Sequence, residues 1–190
     1  MKFRALLALF LLIAPACAQR ISNQRPAEAP LRLDMSKLNG MQPPGMDPLC
    51  LDKGRFQDLE YNRSPEVEKI MARPKDAVPV LISLLTSTKR VRPDPVCYWY
   101  DTRVGDVAFM MLADLFTDAS WQHCTVPGAC WDALGSVDTD VPASTAWHNY
   151  IKQHGRAALQ NHYRNLWREY KDKLVWDPTQ RCFRLPTQKN

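Results

Sequence analysis

Thr102-Arg-Val-Gly-Asp-Val-Ala-Phe-Met-Met-Leu-Ala-Asp-Leu-Phe116 is apolar on almost every side, yet it keeps two aspartates. Plotted on a helix, its apolar side chains fill nearly the whole circumference and leave a sector of about 80° for Asp106 and Asp114. Such a helix is covered on most sides, which puts it at the centre of the fold. The two acids are eight residues apart, about 12 Å along an α-helix. Paired catalytic carboxylates stand closer, about 5 to 9.5 Å in glycosidases. Asp106 and Asp114 are therefore read as structural acids. Asp106 falls in the first turn, where the helix dipole favours a negative charge. Asp114 falls near the other end and needs a buried partner, best an arginine.

On the N-terminal side, Ser64-Pro65-Glu66 is a helix-start signature, and that helix is predicted to run to about Ala72, before Pro74. In Asp76-Ala-Val-Pro-Val-Leu-Ile-Ser-Leu-Leu85, Pro79 is tolerable in a first turn if Asp76 is the cap. Val80, Leu81, Leu84 and Leu85 then make one apolar face. A long connection follows, basic at first and then aromatic.

On the C-terminal side, 121–143 is loop-like, with one helical turn expected around Trp131 to Leu134. Beyond Ser144 the helical pattern changes its buried side. Trp147, Tyr150, Ile151 and Ala158 cluster on one face, while Leu159, Tyr163, Leu166 and Tyr170 cluster well over 100° away. Arg164, Arg168 and Lys171 share the face opposite the second cluster. A break at His154-Gly155 reconciles the two stripes. The tail from Leu174 to Leu185 alternates around Asp177-Pro178 and is predicted to form a small β-hairpin that needs helices to pack against.

The start of the chain bears on location. Lys2 and Arg4 precede a short apolar run, Ala5 to Ile13, and Ala16-Cys-Ala18 supplies small residues before Gln19. That is a secretory signal peptide over 1–18, too short to span a bilayer. Cys17 raises a rival, a lipoprotein signal in which that cysteine is acylated, but the residues before it lack the usual leucine, and simple cleavage is expected. Losing Lys2 and Arg4 lowers the formal net charge from +5 to +3, too mild for a nucleic-acid partner. Residues 19–46 carry Pro26, Pro30, Pro43 and Pro44 and read as a flexible leader. The folded part, 47–187, is long enough for one domain.

Five cysteines remain after cleavage: Cys50, Cys97, Cys124, Cys130 and Cys182. An oxidising compartment suggests two disulfides and one odd thiol. Cys124 and Cys130 bracket Pro127-Gly128 and are the first expected bridge; the second draws on Cys50, Cys97 and Cys182, with the choice open. A metal site at His123, Cys124 and Cys130 has neither a CxxC pair nor a second cluster. His148, His154 and His162 lack i,i+4 spacing and are expected to cap or hydrogen-bond. There is no G-x-S-x-G elbow and no glycine-rich phosphate loop, and neither cofactor nor metal is implied.

Asp76 to Leu85 followed by Val104 to Phe116 resembles one HEAT-type repeat unit. Ala77, Pro79 and Leu81 match the opening of its first helix, and Arg103, Asp106, Ala108 and Leu112 match its second. The resemblance covers about 40 residues and implies an antiparallel helix pair, in a family that usually binds proteins. The segment between the helices is longer than such a unit carries and no second copy occurs, so an extended array is not expected.

The expected fold is an all-α, compact, irregular helical domain built around that helix pair, with a small C-terminal hairpin. The expected function is an exported module binding a protein or envelope component, in the periplasm or outside the cell. Its candidate patch is Arg90, Arg92, Tyr98, Trp99, Tyr100 and Arg103, since arginine and aromatic side chains carry binding hot spots. The alternatives are a small secreted hydrolase with a site near Asp114, His123 and Cys97, and an envelope inhibitor or structural protein.

Overall fold

A computed structural model describes residues 29–37, 65–91, 102–120, 123–134 and 143–186. The fold is mostly helical, with a two-stranded antiparallel hairpin near the C-terminus. Its helices are α1 (Pro65–Ala72), α2 (Pro74–Leu84), α3 (Val104–Leu115) and α4 (Ala143–Tyr170); the strands are β1 (Val175–Asp177) and β2 (Cys182–Arg184). Short 3-10 turns occupy Met35–Lys37 and Trp131–Leu134.

Every residue of α3 is buried. Its apolar circumference is satisfied by α2 on one side, by the Met35–Lys37 turn on another and by β2 on a third. This is the central position predicted from the sequence.

α2 departs from expectation. It starts at Pro74, with Arg73 as N-cap and Pro79 inside the helix. Pro74 takes the first-turn position where a missing N–H costs nothing, and Asp76 becomes a first-turn acid accepting from Arg73 Nε at 2.8 Å. The buried stripe is Ala77, Val78, Leu81, Ile82 and Leu85, and Val80 and Leu84 are only half-buried. Eight of the nine residues from Ala77 to Leu85 are apolar, so periodicity alone leaves the face ambiguous; packing against both α3 and α4 selects it. α1 spans the predicted residues; its expected cap, Ser64, lies outside the described residues.

The leader differs too. Leu31, Leu33 and Met35 lie against the core, Met35 almost completely buried. Leu31 and Leu33 are two residues apart in the non-helical stretch, and Met35 opens the 3-10 turn that follows. Asp34 N–H donates to Glu66 Oε2 at 3.0 Å, tying the segment to α1.

α4 is broken at Gly155, whose φ of 77° and ψ of 160° leave helical geometry. That combination is open to glycine and to few other residues. Before the break Trp147 is buried; after it Leu159, Tyr163 and Leu166 are. Ala158, lying past the break, is exposed and does not join the Trp147 face. The hairpin pairs Val175 with Arg184 and Asp177 with Cys182, and Phe183 packs on Trp167 and Trp176 with ring centroids 6.1 and 5.1 Å apart.

Cys124 and Cys130 form a disulfide. Its loop is clasped from three directions. Thr125 N–H donates to Phe116 O at 2.8 Å, and its hydroxyl reaches Phe116 O and Phe183 O. Tyr163 donates to Ala129 O at 2.8 Å, and His162 Nε2 donates to Gly128 O at 2.7 Å. A carbonyl only accepts, so His162 carries its proton on Nε2. Cys182 is buried and stands outside the disulfide; Cys50 and Cys97 lie outside the described residues. Alkylation of unfolded, unreduced protein is expected to label Cys182 and to spare Cys124 and Cys130 until reductant is added. Peptide mapping checks this, and label on Cys124 without reductant contradicts it.

Candidate functional site

Asp106 sits at the N-terminus of α3 and collects donors from three segments. Its carboxylate accepts Arg103 N–H at 2.7 Å, closing the start of the helix. It also accepts Trp147 Nε1–H at 2.9 Å and a hydrogen bond from Arg156 Nη2. The Arg156 guanidinium lies 5.6 Å from the Trp147 ring centroid, and Trp147 stacks on Phe109 at 4.4 Å. Asp106 is 3% exposed, and among the described residues Arg156 Nη1, also buried, has no hydrogen-bond partner. The enclosed carboxylate thus joins the start of α3 to both halves of α4. Asp106 has a largely buried arginine beside it as well as the helix N-terminus.

Asp114 is also buried, at 6% exposure, whereas His123 is 74% exposed in the turn beyond α3. The two groups that would share a hydrolytic site therefore have opposite surroundings, and Cys97 lies outside the described residues. His123 Nδ1 instead pairs with Asp118 Oδ2 at 3.1 Å, while Ser120 Oγ donates to Asp118 Oδ1 at 2.6 Å. Partial burial pushes the Asp118 carboxyl upward, but hydrogen bonds from Ser120 and His123 and the nearby His123 charge leave it below its ordinary value. Here the acid separates serine from histidine. A serine nucleophile needs the histidine beside its hydroxyl, so this cluster is a loop clasp. No group of three metal-ligating side chains occurs among the described residues, and Cys124 and Cys130 are consumed by their disulfide.

Of the predicted patch, Arg90 and Arg103 are brought together by an isolated antiparallel bridge. Arg103 Nη1 donates to Thr88 O at 3.2 Å and so latches the connection onto α3. Arg92, Tyr98, Trp99 and Tyr100 lie outside the described residues.

A different surface is concave. Between α2 and the second half of α4 runs an open groove of about 310 Å³, lined by Pro79, Ile82, Ser83, Arg164, Trp167, Arg168 and Lys171. Its volume is at the lower end of the range for ligand sites, about 300 to 1,000 Å³. Three cations stand along one wall, and Pro79, Ile82 and Trp167 supply apolar surface. Arg164 donates to Asn161 Oδ1 at 3.2 Å and Arg168 to Asn165 Oδ1 at 2.7 Å. Each guanidinium is held by an amide three residues back and keeps its remaining donors free. Among the described residues no carboxylate pairs with Arg164, Arg168 or Lys171. The sequence shows this row as the i, i+4, i+7 face of a helix, which reads as an ordinary solvated face; the α2 wall that makes it a groove comes from more than 80 residues earlier.

Comparison with protein-family models, with curated proteins and with solved structures found no match.

Proposed function

We propose that the protein is an exported binding module, cleaved near Ala18 and acting on a protein or other envelope component. The α2–α3 pair is read as a single HEAT-like helix hairpin within a compact helical domain. The binding surface is the groove between α2 and α4. The carrying observation is the row of Arg164, Arg168 and Lys171, three cations that have no carboxylate partner among the described residues, beside an apolar floor. Surface cations near acids form weak pairs worth about 0 to 1 kcal/mol; a row of one sign instead attracts a partner of the other. The opening that leads to this reading is lined by both arginine and tryptophan, the side chains that dominate binding hot spots.

The test uses the folded protein as bait in an envelope extract, beside a variant carrying Arg164→Glu, Arg168→Glu and Lys171→Glu. All three side chains lie outside the core, so the variant retains its helical circular dichroism. Components held by the native bait are expected to be lost from the variant. Identical capture by both removes the groove from consideration.

A further inference from the structure

Resting on the reading of this groove as a binding surface, we infer that its occupant is an acidic peptide segment. Two carboxylates one residue apart meet Arg164 and Arg168, and an apolar side chain enters the floor made by Pro79, Ile82 and Trp167.

The argument begins with spacing. Arg164 and Arg168 are one helical step of four residues apart, about 6 Å along α4, and Lys171 extends the row to about 10 Å. An extended peptide presents side chains on one face about 6.6 to 6.8 Å apart, close to the arginine separation. The side chain between them points to the other face and is free to take the apolar floor. A single small anion would engage one end of the row and leave the rest unused.

The α2 wall is uncharged, and its carbonyls are already engaged. Gln160 Nε2 donates to Ile82 O at 2.9 Å and to Ser83 O at 3.2 Å. Those groups belong to the negative end of the α2 dipole, which would otherwise oppose an anion. The asparagines at positions 161 and 165 restrict the arginines before any ligand arrives, which reduces the ordering cost of binding.

Charge complementarity also admits an anionic bilayer, but the shape does not favour one. Bilayer docking uses apolar side chains that project outward. Of the groove's apolar groups, Ile82 is buried and Trp167 half-buried, and Pro79 alone is exposed. Val175, the exposed large hydrophobic residue among those described, is 48% exposed but does not line the groove.

The experiment is fluorescence anisotropy with a labelled peptide alternating glutamate and leucine. Its controls are the glutamine–leucine counterpart, anionic phospholipid vesicles and a single-stranded oligonucleotide. The glutamate peptide is expected to bind the native protein saturably. Binding should weaken about tenfold with Arg164→Gln and Arg168→Gln together, and weaken further as salt approaches about 1 M, where charge is screened within about 3 Å. The glutamine peptide, the vesicles and the oligonucleotide should show no saturable binding sensitive to those substitutions. Equal binding of the glutamine peptide overturns the inference, as does an unchanged affinity in the double variant. So does arginine-dependent binding of vesicles or oligonucleotide without binding of the peptide. If the bait captures an envelope component through the groove but the peptide does not bind, the peptide inference falls and the binding-module reading stands. If charge reversal leaves capture unchanged, the groove falls as the binding surface by its own test.

Discussion

Replacing Asp106 by alanine is expected to cost about 3 to 5 kcal/mol of folding stability, the range for breaking a buried ion pair by removing one partner. The loss has three physical parts. Arg156 keeps its charge in a site where its side chain is only 18% exposed, and its Nη1 already lacks a partner. Trp147 Nε1–H loses its acceptor in the interior, and Arg103 N–H loses the carboxylate that closes the first turn of α3. Since small domains are stable by about 5 to 15 kcal/mol in total, the variant should unfold at markedly lower denaturant concentration. A double variant, Asp106→Ala with Arg156→Met, removes the stranded charge and should recover part of the loss, giving a coupling between the sites of at least about 1 kcal/mol. Chemical denaturation of the four proteins in the cycle measures this. Additive losses would mean that the carboxylate acts only as a helix cap.

Gly105→Ala is the second large effect, at about 3 kcal/mol or more. A Cβ at this position falls 2.4 Å from Leu85 O, 2.6 Å from Arg156 Nη1 and 2.9 Å from Ser87 O. Overpacking in a core costs about 1 to 3 kcal/mol where side chains can yield. Here two of the three obstacles are backbone carbonyls. Ser87 O also accepts Gly105 N–H at 3.1 Å, so moving it breaks a bond that joins the end of α2 to the start of α3. The expected thermal signature is a fall in Tm of about 10 °C or more. The substitution should remain costly when Arg156 is also shortened to alanine, because both carbonyls stay in place. Restoration of normal stability in that background would assign the constraint to the arginine alone.

How much of this was readable in advance depended on range. The burial of α3 was legible because the evidence lies within one segment, an apolar surface too wide for a helix on the outside. The break in α4 was legible for a similar reason, since Trp147 and Leu159 cannot face the same core on one straight helix. The hairpin and the Cys124–Cys130 bridge were equally local. The partner of Asp106 was not, because Arg156 is 50 positions further along the chain and nothing in either neighbourhood names the other. Dipole reasoning asks for a partner only at Asp114, the acid at the unfavourable end, whereas burial places both acids out of water. The start of α2 stayed ambiguous because Pro74 and Pro79 each satisfy the local rule for a first turn. The groove was half legible. Its basic row is plain on a helical projection, but its apolar floor depends on where α2 lies.

The rivet at Cys124–Cys130 has a practical corollary for anyone preparing the molecule. Closing so short a ring contributes about 2 kcal/mol by restricting the unfolded chain, and the carbonyls of Gly128 and Ala129 that His162 and Tyr163 grasp lie inside the ring. Material made in a reducing cytosol would carry those grips on an open strand. Batches from reducing and oxidising hosts should therefore differ in protease resistance between Phe116 and Leu134, even where their helical content matches.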